Sequence, residues 1–214
     1  SYLGDMAWFE SENKRKTNTL KPESTTSFET GLDLRFLQDR ASFSFTYYNK
    51  NTKNQILTST INGVSGYGEA LFNAGEVKNW GYEVTLGVVP FRNKDWEWKV
   101  DINWAKNNSE VVSLANGMDY MTLTTVQNSV ELRIVKGEPL VSLYCREPWK
   151  TNDEGQVLVG ANGRPLSGEA KFLASVEPKW TGSIRTSLRW KDLSFSAMLD
   201  IRMGGHVWSE TAFQ

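Results

Sequence analysis

SFETGLDLRF (27–36), LQDR (37–40) and ASFSFTYYNKNTK (41–53) run on without a break, and in the two longer pieces every second residue changes character. Phe28, Thr30, Leu32, Leu34 and Phe36 alternate with Ser27, Glu29, Gly31, Asp33 and Arg35. After the polar tetrapeptide, Phe43, Phe45 and Tyr47 alternate with Ser42, Ser44, Thr46 and Tyr48. Successive side chains of a strand point to opposite faces, so a period of two predicts two strands with one apolar face each. A short polar connection between them predicts a hairpin.

The unit recurs further along. Asn79–Pro90 carries Trp80, Tyr82, Val84, Leu86 and Val88 on one face, and Trp96–Asn107 carries Trp96, Trp98, Val100, Ile102 and Trp104, with Arg92-Asn93-Lys94-Asp95 as the turn. Trp180–Trp190 and Leu193–Met203 form a third pair around Lys191-Asp192. Turns inside the hairpins are short, whereas the links between hairpins, Asn54–Val77 and Asn108–Lys179, are long and rich in Gly, Asn, Ser and Thr. A loop of that second length is rarely structureless, and Leu140–Arg146 and Gln156–Val159 are expected to form short extra strands. One end of the sheet is then all tight turns and the other all long loops.

Composition narrows the field. The 214 residues carry 24 Lys plus Arg against 25 Asp plus Glu, a net charge of -1 that offers no bulk attraction for nucleic acid. A single cysteine excludes a disulfide framework within the chain, and a single histidine leaves no Cys/His metal cluster. No stretch approaches the ~18 apolar residues of a membrane-spanning helix, which leaves a spanning barrel open because barrel strands alternate. Ser1 opens the chain and Gln214 closes it just after a strand pattern, so a piece of something longer is expected.

An all-β fold follows, with two architectures to weigh. A soluble β-sandwich, such as a carbohydrate-binding module, would bury the same apolar rows in a core. A transmembrane barrel would turn them to lipid and the charged rows to a wet lumen. Trp96, Trp98 and Trp190 lie at the short-turn end, and Tyr47, Trp80, Trp104 and Trp180 nearer the long loops. Two aromatic belts of this kind sit at the two membrane interfaces, so the barrel with long extracellular loops is favoured.

Residues able to do chemistry are few. Glu29/Asp33 and Glu97/Asp101 are carboxylate pairs four positions apart on strands, about 13 Å, wider than glycosidase pairs. They read as part of a lumen charge network, and no catalytic residue is assigned. His206 has no partner, and Cys145 lies 61 positions from it. Val159–Gly163 has neither dinucleotide nor phosphate-loop spacing. In the long loop, Tyr120, Tyr144, Arg146 and Trp149 combine aromatic faces with a forked donor, the chemistry that contacts sugars. These four are the candidate substrate-binding residues, with packing of the loops on each other as the alternative role.

Several words in the chain are shared with a family. Asn18–Gly31, with Leu20-Lys21-Pro22-Glu23 and Glu29-Thr30-Gly31, resembles the entry into a late barrel strand of TonB-dependent transporters. Phe45–Ile56 resembles the next strand, and Asn73–Glu83, with Asn73-Ala74-Gly75 and Asn79-Trp80-Gly81-Tyr82-Glu83, the one after. Trp98–Asn107 with Val111–Leu114, Gly137-Glu138-Pro139-Leu140, and Glu177–Ser183 place the resemblance in the SusC/RagA-like branch of Bacteroidetes, over most of residues 18–208. Many relatives carry a calcium-loop-like stretch where this chain has Thr151–Gly155 and Ala161–Arg164. Regular carboxylate spacing is missing there, so no metal is inferred. The resemblance implies that residues 1–214 are part of a barrel of about 22 strands with a plugged lumen, the plug and final strands lying elsewhere. It also implies an outer-membrane location, a SusD-like surface lipoprotein and TonB as partners, and import of oligosaccharides or peptides without cofactor or bond-breaking chemistry.

Overall fold

Alternation becomes strand register in the computed structural model, which describes residues 20–60, 67–127 and 129–209 and the backbone of three two-residue strands before them. Those three are β1 (Tyr2–Leu3), β2 (Met6–Ala7) and β3 (Lys14–Arg15). The principal sheet contains β4 (Ser24–Phe36), β5 (Ala41–Thr60), β6 (Glu69–Arg92) and β7 (Trp96–Leu114). A second group, β8 (Tyr120–Val126), β9 (Val130–Val135), β10 (Ser142–Cys145) and β11 (Lys171–Ser175), occupies the long loop, and β12 (Pro178–Trp190) and β13 (Leu193–Gly204) return to the principal sheet.

The principal sheet is seven-stranded, in the order β13-β12-β7-β6-β5-β4, with β3 pairing in parallel with β6. One cross-strand row reads Leu34, Phe43, Leu86, Ile102, Ile184, Leu199. The neighbouring row reads Asp33, Ser44, Thr85, Asn103, Ser183, Asp200. A one-residue slip in any pair would put a charged residue among leucines, and this fixes the register. From Trp96 to Trp104 the apolar row climbs eight residues, about 26 Å along the strand and roughly 20 Å of height at a ~40° tilt, close to the apolar band of a membrane barrel. Trp96 stacks on Trp190 at 5.6 Å at the lower edge, and Tyr47 meets Tyr82 at 5.3 Å at the upper. No second sheet covers the apolar rows among the described residues: Leu32 is 51% and Leu199 60% exposed. The sandwich is not realised; the fold is an antiparallel β-barrel segment.

Connections segregate as expected. Leu37–Arg40, Asn93–Asp95 and Lys191–Asp192 close one end, and the stretch from β7 to β12 lies at the other. Asn93 tightens its turn by accepting from the N–H groups of Asp95 and Trp96 through Oδ1, and Lys191 N donates to Asp95 O, tying two turns together. The span Asn54–Val77, expected as a link, is mostly strand: β5 continues to Thr60 and β6 starts at Glu69. Alternation fades there because the hairpin rises past the apolar band and has no lipid to face.

At that transition the strands bulge, and two of the sequence words meet. Asn54 has φ 54° and Gly75 φ 147°, and the pairing shifts on either side of Gln55. Asn73 fills the gap in backbone pairing: its Oδ1 accepts from Lys21 N, and its Nδ2 donates to Lys21 O and Asn54 O, at 2.7–2.8 Å. Glu23 accepts from Ile56 N. A Cβ on Gly75 would sit 2.0 Å from Ser113 O, so only glycine fits.

Above the bulge lies the chain's one buried apolar cluster among the described residues, Ala74, Val111, Leu114, Met121 and Ile134. It joins the upper wall to a four-stranded sheet ordered β11-β10-β9-β8. Gly137–Leu140 is zipped to β7: Gly137 N donates to Val111 O, Val111 N to Glu138 O, and Leu140 N to Ser109 Oγ, which itself donates to Glu177. Of the two expected loop strands, Leu140–Arg146 contains β10, while Gln156–Val159 makes only isolated bridges at Val157 and Val159. These belong to a three-cornered knob in which Leu158 N donates to Lys150 O, Leu166 N to Leu158 O and Lys150 N to Leu166 O, a closed ring of backbone bonds.

Candidate functional site

Two surfaces combine several polar groups. The first is the polar face of the wall. Thr85 Oγ1 donates to Asn103 Oδ1 at 3.0 Å and Asn103 Nδ2 to Ser183 Oγ at 3.1 Å, beside a recess of about 530 Å³ that Glu83, Asp200 and Arg202 also line. One level higher, Tyr48 lies over Gly81, where a Cβ would be 2.5 Å from the phenol oxygen, and donates to Asn107 Oδ1. Towards the short turns, Arg92 pairs with Glu97 at 2.7 Å and Lys99 with Asp101 at 3.3 Å. Of the carboxylate pairs read from the sequence, Glu97 and Asp101 are thus ion-paired on the wall, and Glu29 borders a second recess with Lys50 and Glu83.

The second surface is the loop sheet. β8 and β9 bring Tyr120 opposite Val135 and Thr122 opposite Arg133; β10 places Tyr144 opposite Glu131. The Arg133 guanidinium lies 4.4 Å from the Tyr120 ring centroid and 5.1 Å from that of Tyr144. Its Nε meets Glu131 Oε2 at 2.6 Å, and Arg146 approaches Oε1 of the same carboxylate at 3.6 Å. Tyr144 donates its hydroxyl to Glu138 and meets Phe172 edge to face. Burial, reinforced by the hydrogen bond to Glu138 and its negative charge, pushes the Tyr144 phenol up to about 12 against the opposing pull of Arg133.

Three of the four candidate residues, Tyr120, Tyr144 and Arg146, thus gather around Glu131 and Arg133. Tyr144 is buried, with both its hydroxyl and its ring engaged inside the protein, whereas half of Tyr120 is open. Trp149 stands apart on the knob, bridged to Ser167 and 65% exposed. Glu131 and Arg133 escaped the sequence reading although Val130–Val135 alternates. On one face their opposite charges compensate, and the apolar residues of the other make Ile134 part of the core. His206 settles against Ser175 O, and Cys145 remains a free thiol on β10. Among the described residues no group of three or more His, Cys, Asp or Glu is placed to hold a metal.

Comparison with known proteins fits this geometry. The family described as TonB dependent receptor-like, beta-barrel matches residues 6–212. The chain is 24% identical over 220 residues to TonB-dependent receptor P3 of Formosa agariphila, covering 92% of this chain and 22% of that protein. It is 29% identical over 118 residues to TonB-dependent receptor SusC of Bacteroides thetaiotaomicron, covering 55% of this chain and 12% of that one. Among solved structures, the RagAB peptide transporter superposes with a TM-score of 0.64 at 23% identity, over 83% of this chain and 21% of that chain. The chain spans about a fifth or less of the length of these relatives.

Proposed function

Because the chain belongs to the TonB dependent receptor-like β-barrel family, in its SusC/RagA-like branch, we propose that it supplies part of the wall and extracellular loops of an outer-membrane, TonB-dependent importer. The observation that carries this reading is the register. A row of leucines, phenylalanine and isoleucines crosses six strands beside a row of serines, threonine, asparagine and aspartates. Such a sheet needs lipid on one side and water on the other, with all short turns at one end. In this reading residues 1–214 form one continuous part of the barrel domain, with plug and remaining strands elsewhere in the protein. The cargo is an oligosaccharide or a peptide, a SusD-like lipoprotein caps the loops, TonB powers uptake, and no bond is made or broken.

The test uses the full-length protein in its own host. Membrane fractionation should place it in the outer membrane, and uptake of its labelled cargo should stop when TonB is deleted. A soluble, monodisperse protein in plain buffer, or uptake indifferent to TonB, overturns the reading.

A further inference from the structure

The cations at the short-turn end of the polar face are not all neutralised. In the register of β7 and β12, Arg185 lies opposite Asp101 and Arg189 opposite Glu97. Each carboxylate has turned to another cation: Asp101 to Lys99 at 3.3 Å, Glu97 to Arg92 at 2.7 Å. Arg185 and Arg189 are left without an ion-pair partner among the described residues. Across β13 the register opposes them with no acid: Arg185 faces Met198 and Arg189 faces Ser194, with Ser187 opposite Ser196 between them. Lys99, Arg185, Ser187, Arg189, Ser194 and Ser196 line one recess of about 280 Å³, which Glu97, held by Arg92, also borders. Higher on the same face the balance reverses, with Glu29, Asp33, Glu83 and Asp200 against Lys50 and Arg202.

We propose that Arg185 and Arg189, with the hydroxyls of Ser187, Ser194 and Ser196, form an oxyanion strip that engages carboxylate groups of the cargo as it passes the lower wall. The proposal rests on the transport reading and adds a substrate class, anionic cargo. Two guanidiniums on one face, about 13 Å apart, each present a planar fork matched to a carboxylate. The serine between them and the two across the strand gap supply O–H donors. Lumen-facing cations are known to set the selectivity of a pore for anions. The acidic band above repels the same groups, so a carboxylate gains its favourable contacts at the strip.

Titration calorimetry on the full-length protein in detergent, at low and high salt, tests this with four probes. Hexaglutamate and trigalacturonate carry carboxylates on two different scaffolds, and hexaglutamine and maltotriose are their neutral counterparts. At least one acidic probe should bind more tightly than its neutral counterpart. The double variant Arg185→Gln/Arg189→Gln should weaken it about tenfold or more and flatten the salt dependence, with heat-modifiable migration unchanged as the folding control. Phenylglyoxal should label both arginines in the free protein, and the acidic probe should protect them. Acidic probes that bind no better than neutral ones, binding retained in the double variant, or arginines unreactive because the protein's own carboxylates fill the strip, would each overturn the proposal. TonB-dependent uptake measured on the same strains separates the two claims. If it persists when the strip fails, the transport reading stands; its loss removes both.

Discussion

Strand β7 belongs to two different proteins. Its lower half, Trp96 to Trp104, lies in a wall whose apolar side chains meet only their neighbours in the sheet, while its upper end, Ser109 to Leu114, enters an apolar cluster where Val111 is fully buried. The backbone bonding is the same in both halves; the medium differs. Below, lipid takes the place of a core, so an exposed leucine is where it should be and polarity on that face is the fault. Above, water surrounds the loops, and the assembly is held as a small soluble domain is held, by apolar packing, the Glu131–Arg133 pair and the Gly137–Leu140 zip. Substitutions should therefore obey opposite rules on the two sides of the bulge at Gly75.

The largest effect is expected at Val111. A charge there, Val111→Asp, is buried without a partner and should cost roughly 4 kcal/mol or more. In hydrogen exchange of the full-length protein, protection should vanish from β8 to β11 while β12 and β13 keep theirs. Loss across both regions would mean that the loop core holds the wall together, and the division drawn above would break.

Next comes the wall. Leu86 is 40% exposed and sits in the mid-height apolar row. Leu86→Arg should destabilise the full-length barrel in liposomes by roughly 2–4 kcal/mol, read from denaturant-driven unfolding. Glu83→Gln on the opposite face should stay within about 0.5 kcal/mol. Equal tolerance at the two positions would mean that the faces are reversed or that lipid covers neither.

A smaller effect separates the loop assembly by pH. The Tyr144 phenol, with an ordinary value of 10.0, titrates at about 12 in the packed loop. The folded state thus holds a proton that the opened state releases in that interval. Its stabilisation is complete below about pH 10 and is lost as pH rises through 12. Tyr144→Phe removes the donor to Glu138, should cost roughly 1–3 kcal/mol, and should flatten the alkaline loss seen in loop-specific hydrogen exchange. An unchanged alkaline profile would assign the loss to other groups.

How far the chain could be read without coordinates follows the same division. The wall was legible because each strand obeys a period of two and each pair is joined by a few residues, so Leu34, Phe43 and Leu86 announced their face and register at once. Reading stopped at the bulge. Asn54 and Gly75 interrupt the period, and Asn73 and Glu23 replace backbone pairing with side-chain bonds that no periodicity encodes. The loop strands β8, β9 and β11 are short, and the opposite charges of Glu131 and Arg133 pair within β9, so a sequence shows them as ordinary surface residues. Tyr144 was noticed for its chemistry, but a sequence cannot say that its hydroxyl and ring are already engaged.

The smallest structural effect, and the sharpest functional one, is expected at Trp149. Its indole projects from a knob whose shape rests on backbone bonds among Lys150, Leu158 and Leu166 and on turns capped by Asn152 and Asn162. None of those bonds uses the Trp149 side chain, so Trp149→Ala should change stability by less than about 0.5 kcal/mol. The ring is a flat apolar face in water, suited to stacking on a sugar or a peptide side chain. Its loss should lower cargo affinity roughly two- to tenfold in titrations of the full-length protein, while thermal unfolding stays put. Tyr144 should behave in the reverse way, with stability moving first and affinity only as the loop loosens. Affinity untouched by Trp149→Ala would remove this residue from the cargo surface and leave Tyr120 and Phe172, open aromatics of the loop sheet, to carry that role.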